Sequence, residues 1–235
     1  MKKHKAIITG ASRGIGKAIA LKLAENDFDL VLTGRDLPAL GNVRDACEKS
    51  GIKVEIIPAD LANEKEIINL FQQAGPIDLL VNNAGFGIFD AIEDIKLEDW
   101  QAIHKVNVEG SFLCLREAMK SMKSLGGGRI INIASVVGVK GYPNQGAYGA
   151  SKHALLGLTK TAIEEGRDHN IRIHAICPGG VATEMVQQAR PDLTDFSAMI
   201  QPEDVADSVV YLCSLPENIT IDCLHLRRAA SPQTW

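Results

Sequence analysis

The stretch TGASRGIG at residues 9–16 decides the predicted fold of this chain. It follows the apolar, β-branched run 6–8 and leads into Ile15, Ile19 and Leu23, which are spaced as on one face of a helix. A glycine-rich turn between a strand and a helix lets the backbone approach a pyrophosphate closely, and the helix N-terminus presents free N–H groups to it. A tight turn without any ligand would show the same residues. The spacing is G-x-x-x-G-x-G, which differs from the G-x-G-x-x-G dinucleotide fingerprint.

Outward from this turn, short apolar strands and helical segments alternate along almost the whole chain. The predicted strands are the runs 6–8, 30–32, 54–57, 79–81, 130–133 and 171–176, with a last one inside 217–228. Crossovers between parallel strands must pass over a face of the sheet, so buried strands separated by helices indicate a parallel sheet covered on both faces. The sequence therefore predicts an α/β fold, a doubly wound, Rossmann-type, mostly parallel seven-stranded sheet with helices on both faces.

A single domain is predicted for residues 1–235. We find no internal repeat and no Pro/Gly/Ser-rich linker that would divide the chain. The glycines at 126–128 lie between a helical pattern and the strand run 130–133, where a tight turn explains them.

The composition excludes several classes of protein. With 46% apolar and 23% charged residues the chain resembles an ordinary globular protein, and its net charge of −4 gives no attraction for nucleic acid or an anionic membrane. Five scattered cysteines form no C-x-x-C pair, and the six histidines show no short metal-ligand spacing. The apolar run after the basic start is too short for a signal peptide. A reduced, cytoplasmic protein without a metal site is expected.

Further motifs follow the glycine turn in a fixed order. They are Asn82-Asn83-Ala84-Gly85, Asn107, Ser135, Tyr148-x-x-x-Lys152 and Pro178-Gly179. Together with the glycine turn, these motifs resemble those of the classical short-chain dehydrogenase/reductase family, including its 3-oxoacyl-carrier-protein reductases and carbonyl reductases. The resemblance extends from about residue 5 to residue 215, nearly the whole chain.

Four of these residues are candidates for catalysis. Tyr148 and Lys152 are four residues apart, so on a helix they share a face, and an adjacent ammonium favours the phenolate. The resemblance implies that Tyr148 donates a proton to a substrate carbonyl and that Lys152 lowers the Tyr148 pKa and binds the nicotinamide ribose. It implies further that Ser135 orients the carbonyl and that Asn107 holds a helix distortion and a proton relay. Seen alone, each would be explained as an ordinary polar residue or surface pair.

The resemblance also implies which residues bind a dinucleotide. They are Gly10, Ser12, Arg13, Gly14, Ile15 and Gly16 in the glycine turn, Arg35 after the second strand, Asp60 and Leu61 near the adenine, Asn83, Ala84 and Gly85 near the adenosine ribose, Tyr148 and Lys152, and Pro178, Gly179, Val181 and Thr183 near the nicotinamide.

The end of the second predicted strand bears on the choice of cofactor. NAD-selective folds place an acid there for the ribose 2′-OH, whereas an arginine accommodates a 2′-phosphate. Here Gly34 takes the place of the acid, Arg35 follows it, and Arg13 lies in the glycine turn. Two arginines suit a phosphate dianion. Each is also explained as a solvated surface residue. Asp36, one position after Arg35, leaves NAD(H) as an alternative cofactor. NADP(H) is the predicted cofactor.

These observations predict an NADP(H)-dependent oxidoreductase that reduces a ketone or aldehyde, with a 3-oxoacyl thioester among the candidate substrates. The alternatives are a dehydrogenase of small carbonyls or 3-hydroxy acids that uses NAD(H), and a catalytically silent dinucleotide-binding redox sensor. A small-molecule carbonyl or alcohol is the expected partner.

Two segments near the C-terminus bear on specificity and assembly. Residues 183–202 are predicted to form a lid over the substrate. Residues 217–235 depart from the family, many of whose members have a Gly-rich turn and an Asp-Gly-Gly ending there that serve subunit packing. A homo-oligomer, either dimer or tetramer, is still expected, built on helices around residues 102–122 and 148–167.

Overall fold

A computed structural model of the chain describes residues 4–189 and 193–231. The predicted lid is therefore described except for residues 190–192, and the predicted tail is described as far as residue 231. The basic start at residues 1–3 also lies outside the described residues.

Seven parallel strands form one sheet in the order β3-β2-β1-β4-β5-β6-β7. Their bounds are β1 Lys5–Thr9, β2 Asp29–Thr33, β3 Val54–Ile56, β4 Leu79–Asn82, β5 Gly128–Ile133, β6 Ile171–Pro178 and β7 Cys223–Leu226. Each predicted apolar run thus forms a strand, and the described sheet is entirely parallel. The prediction of a doubly wound α/β fold is confirmed.

The described part of the chain contains eight α-helices, most of which cover the two faces of the sheet. They are α1 Gly14–Glu25, α2 Leu37–Cys47, α3 Glu64–Ala74, α4 Leu97–His104, α5 Ser111–Leu125, α6 Gly146–Gly166, α7 Glu184–Ala189 and α8 Pro202–Ser214. A π-helical segment, Lys105–Gly110, joins α4 to α5. Among these residues, no helix combines the length and the apolar character needed to cross a membrane.

Adjacent strand residues are buried on opposite faces, as the period of two in a strand requires. Ile8 packs in a core with residues of α1 and α8, such as Ile19 and Val209. Its neighbour Ile7 packs in a second core with residues of α3 and α5, such as Leu70. Both faces of the sheet are therefore buried, and this explains why the central strands consist of continuous apolar runs.

The strand order creates a crevice between β1 and β4. The chain proceeds from β1 outward to β2 and β3 and then returns to place β4 on the other side of β1. The loops after β1 and β4 therefore leave the sheet in opposite directions, and open α/β sheets bind ligands at such a switch point, outside the carboxyl ends of the strands.

Candidate functional site

A cleft of about 310 Å³ lies at this switch point. Most of the residues predicted to bind a dinucleotide line it. They are Gly10, Ser12, Arg13, Gly14, Ile15, Arg35, Asp60, Leu61, Asn83, Ala84, Gly85, Tyr148, Lys152 and Thr183. These residues follow five different strands or lie on the helices beside them, so the parallel sheet is what gathers them at one edge.

The glycines of the first turn are required by its conformation and packing. Gly10 and Gly14 have positive φ angles of 65° and 53°. Residues other than glycine rarely adopt such angles. A Cβ on Gly16 would lie 2.2 Å from the carbonyl oxygen of Gly10. Because these glycines have no Cβ, α1 can pack closely against the end of β1, and the backbone of the turn stays exposed to the cleft.

The N-terminus of α1 is open at the same place. In the described part of the chain no side chain caps it, and the N-cap residue is Arg13. The first N–H groups of a helix have no partner within the helix and attract anions. With the glycine cradle beside them, these groups fit the pyrophosphate of a dinucleotide.

Hydrogen bonds fix the loop after β4 to the loop after β1. The Asn83 Nδ2 donates to the carbonyl oxygens of Thr9 and Gly10, at 2.9 and 3.2 Å. The Thr9 Oγ1 accepts from the backbone N–H groups of Asn83 and Ala84, both at 2.9 Å. Asn83 therefore holds the two loops that form the walls of the cleft together. This structural contribution does not depend on what the site binds.

The end of β2 presents an arginine to the cleft, and the neighbouring acid faces elsewhere. Arg35 lines the cleft. The Asp36 Oδ1 accepts a hydrogen bond of 3.0 Å from the Ala39 N–H and so caps α2. Arg13 forms an ion pair with Glu184, the first residue of α7, across the mouth of the cleft.

Tyr148 and Lys152 lie one turn apart on α6, with the Lys152 Nζ 5.7 Å from the centre of the tyrosine ring. The side chain of Lys152 is buried, and its Nζ donates a hydrogen bond of 2.9 Å to the Ile133 carbonyl at the end of β5. Burial lowers the pKa of Lys152 to about 8.

Removal of the Tyr148 hydroxyl from water raises its pKa to about 12, and a hydrogen bond with the Ser135 side chain acts in the opposite direction. This is opposite to the direction that the resemblance implies. The physical reason is that desolvation of the phenolate outweighs the hydrogen bond with Ser135. The Lys152 ammonium donates its hydrogen bond to a backbone carbonyl.

Ser135 and Asn107 lie behind this pair. The Ser135 Oγ is 3.4 Å from the Pro178 carbonyl, to which it donates, so the side chain joins the ends of β5 and β6. The Asn107 side chain accepts from the Phe86 N–H at 3.0 Å and donates to the Phe86 carbonyl at 2.8 Å and to the Ser151 Oγ at 3.1 Å. Asn107 lies in the π-helical segment, so the expected helix distortion is present at this residue.

Some predicted site residues do not line the cleft. Gly16 is buried under the glycine turn, Pro178 ends β6, and Gly179 and Val181 belong to the connection toward α7. Ser135 and Asn107, two of the four candidates for catalysis, also lie outside the set of lining residues. Glu184, Met185 and Gln188, which also line the cleft, fall inside the predicted lid at residues 183–202. Phe86, in the loop after β4, and Val106, in the π-helical segment, line the cleft as well but were not among the predicted site residues. Neither carries a sequence pattern by which it could be found.

An all-parallel sheet in this order, with a cleft at its switch point and Tyr148 and Lys152 in the cleft wall, is the architecture of a Rossmann-type oxidoreductase. Comparison with known proteins narrows this class. The family model described as short chain dehydrogenase matches residues 4–194, and the chain belongs to this family.

Three similar proteins illustrate the range of the family. The chain is 36% identical over 220 residues to a 3-oxoacyl-[acyl-carrier-protein] reductase of Synechocystis, with 90% of this chain and 89% of that protein covered. It is 40% identical over 195 residues to a D-beta-hydroxybutyrate dehydrogenase of Rhizobium meliloti, covering 80% and 75%. A solved alcohol dehydrogenase from Thermococcus sibiricus, complexed with 5-hydroxy-NADP, superimposes with a TM-score of 0.89 at 28% identity and 99% coverage of both chains.

Proposed function

We propose that this protein is an NADP(H)-dependent reductase of ketones or aldehydes, with a 3-oxoacyl thioester among the candidate substrates. The observation that carries the proposal is the position of Tyr148 and Lys152, one turn apart on α6 and both in the wall of the cleft. A bound nicotinamide supplies the hydride in this chemistry.

Tyr148 in the cleft wall supplies the proton, and Ser135 beside the cleft orients the substrate. Because its pKa is raised to about 12, Tyr148 is protonated at neutral pH, as the donor in a reduction must be. As its proton passes to the carbonyl oxygen, a phenolate forms, and the charged Lys152 beside it favours that phenolate. Ser135 hydrogen-bonds the same carbonyl oxygen and orients it. Asn107 is a positioning residue that ties the loop at Phe86 to α6.

A panel of carbonyl substrates with NADPH, including a 3-oxoacyl thioester and a diketone, tests this function. Replacement Tyr148→Phe is expected to lower kcat by about 10²–10⁴, the usual contribution of a general acid. Tyr211→Phe, at an exposed position on α8, serves as the matched control. NADPH binding without turnover of any substrate would instead indicate the silent redox sensor.

The preference for NADP(H) is supported by the end of β2. Arg35 faces the cleft, Gly34 offers no carboxylate, and the carboxylate of Asp36 is engaged as the cap of α2. A guanidinium without a competing acid favours a 2′-phosphate over a 2′-hydroxyl. The similar Thermococcus sibiricus enzyme was solved with an NADP derivative.

Steady-state kinetics with both cofactors test this preference. Arg35→Ala is expected to raise the KM for NADPH about tenfold or more, corresponding to one charge-assisted contact of roughly 1.5–3 kcal/mol, and to leave the KM for NADH nearly unchanged. Arg44→Ala, on the exposed side of α2, is the control. An equal or better efficiency with NADH, or an Arg35→Ala variant with an unaltered NADPH KM, would exclude the assignment.

One alternative function has a specific observation in its favour. The similarity to a D-beta-hydroxybutyrate dehydrogenase supports a small 3-hydroxy acid dehydrogenase that uses NAD(H). Adding 3-hydroxybutyrate with NAD⁺ to the substrate panel distinguishes it, since this alternative predicts faster oxidation of 3-hydroxybutyrate with NAD⁺ than reduction of any thioester with NADPH.

We further propose that the protein acts in the cytoplasm as a homo-oligomer packed through α5 and α6. All five cysteines are free thiols, which supports a reducing compartment. Phe112 on α5 is 41% exposed, which supports a packed surface on that helix.

A further inference from the structure

Three side chains with soft or borderline metal-ligand atoms meet at the β7 edge of the sheet. The Cys177 Sγ on β6 lies 3.5 Å from the Cys223 Sγ on β7. The Cys223 Sγ in turn lies 3.1 Å from the Nε2 of His225. All three ligand atoms are within 4.8 Å of one another. The roles proposed above involve none of these residues.

The strand register explains why they meet. In the parallel pairing of β6 with β7, Cys177 is opposite His225 and Ala175 is opposite Cys223. Residues two apart in a strand share a face, and directly paired residues do as well. Cys177, Cys223 and His225 therefore project from one face of the sheet, with Cys223 diagonal to Cys177.

This diagonal relation disfavours a disulfide. From a strand spacing of about 4.8 Å and two rises of about 3.3 Å, the Cα atoms of diagonal residues are about 8 Å apart. Cysteines whose Cα atoms are more than about 7 Å apart cannot be bridged without backbone movement. Both thiols are free in this structure.

The same spacing suits a bound metal ion. With Zn–S bonds of about 2.3 Å, tetrahedral coordination places two sulfurs about 3.7 Å apart, and the observed separation is 3.5 Å. Two thiolates and an imidazole are ligands typical of Zn²⁺, whereas Mg²⁺ and Ca²⁺ require oxygen ligands.

We propose that Cys177, Cys223 and His225 form a zinc site that joins the edge strand β7 to β6. Binding replaces the two thiol protons, which are released to solvent, with two Zn–S bonds, and the imidazole binds through Nε2. Three protein ligands leave the fourth position to water, which reaches the site because Cys223 is exposed. Cys177 directly precedes Pro178, whose carbonyl accepts from Ser135, so the bound ion also stabilises the end of β6 beside the cleft.

Metal titration of the reduced, chelator-treated full chain tests the proposal. Co²⁺ is expected to give thiolate charge-transfer absorption and the ligand-field bands of a tetrahedral ion. Zn²⁺ is expected to displace it at one ion per chain. Bound Zn²⁺ is also expected to raise the melting temperature, by an amount that grows with the logarithm of the free Zn²⁺ concentration. Cys223→Ser and His225→Ala, both away from the buried core, are each expected to weaken Zn²⁺ binding about a hundredfold or more. Loss of a residue that only hydrogen-bonds a metal ligand typically costs about 10–100-fold, so loss of a ligand itself should cost more.

Cys213→Ser and His169→Ala are the matched controls, since neither residue lies in the cluster, and both are expected to bind the ion normally. The proposal is overturned if no thiolate charge transfer appears, if binding survives in Cys223→Ser and His225→Ala, or if air oxidation of the wild type consumes two thiols by joining Cys177 to Cys223.

Discussion

At the scale of single residues, the site depends on a buried charge. Lys152 is 4% exposed and donates to a backbone carbonyl, and burial lowers its pKa from 10.5 to about 8. Such a group remains largely charged at neutral pH, yet it is kept in a dry environment that opposes the charge. Burial of the charged Lys152 therefore lowers the stability of the protein, at a residue that the proposed reaction needs.

The direction of the pKa change determines how this cost in stability varies with pH. Since the folded pKa lies below the unfolded one, the unfolded chain binds more protons between pH about 8 and 10.5, and stability rises with pH across that window. Below pH 8 the full cost is present, at most about 3.5 kcal/mol at roughly 1.4 kcal/mol per pKa unit.

Lys152→Met removes the buried charge and is expected to raise the free energy of unfolding by about 1–3 kcal/mol at neutral pH, while abolishing activity. Denaturant unfolding at pH about 7 and about 9.5 measures the effect, and the gain should shrink at the higher pH. Lys160→Met, at an exposed position of the same helix, should change little. A less stable Lys152→Met variant at neutral pH would contradict the argument.

At the scale of elements, close approaches between backbones decide where the helices begin. α1 contacts the end of β1 through Gly16, and the π-helical segment contacts Leu61 through Gly110, where a Cβ would lie 2.5 Å from the Leu61 carbonyl oxygen. The sequence indicated only that Asn107 interrupts a helix. The number of residues in the π-helical turn depends on how α4 and α5 pack against the loop after β3, which local sequence does not specify.

Gly16→Ala is expected to destabilise the fold by at least about 2 kcal/mol and to weaken dinucleotide binding, because its Cβ would overlap the Gly10 carbonyl. Thermal unfolding and cofactor titration measure the two effects. The control is Gly41→Ala in the middle of α2, where a Cβ meets nothing within 4 Å. There the same change should stabilise by about 0.5–1 kcal/mol. Equal effects at both positions would show that helix propensity, and not the close approach, governs Gly16.

At the scale of the whole molecule, the surface of α5 bears on assembly. Phe112 is exposed on this helix, whereas Tyr211 is exposed on α8, on the other face of the sheet. If copies of the chain pack through α5 and α6, an acidic residue at position 112 places a charge in a desolvated interface, which is costly.

Phe112→Asp is therefore expected to convert the oligomer to a monomer at micromolar concentration, as measured by sedimentation velocity, with Tyr211→Asp remaining oligomeric. A monomeric wild type would refute assembly altogether, and dissociation by Tyr211→Asp alone would place the interface on the opposite face.

The sequence by itself determined the strands, their parallel arrangement and the candidate site residues, because these depend on local apolar period, on turn glycines and on motifs in a fixed order. Only the tertiary structure decided that Asp36 caps α2 while Arg35 faces the cleft, and that desolvation raises the Tyr148 pKa. Likewise, no metal site was predicted from the sequence, because the five cysteines are scattered along the chain and the six histidines show no short metal-ligand spacing. Cys223 and His225 are two residues apart. Cys177 is 46 residues away along the chain and meets that pair only through the register of β6 with β7. Solvation and long-range register are properties of packed neighbours, which no local stretch of sequence encodes.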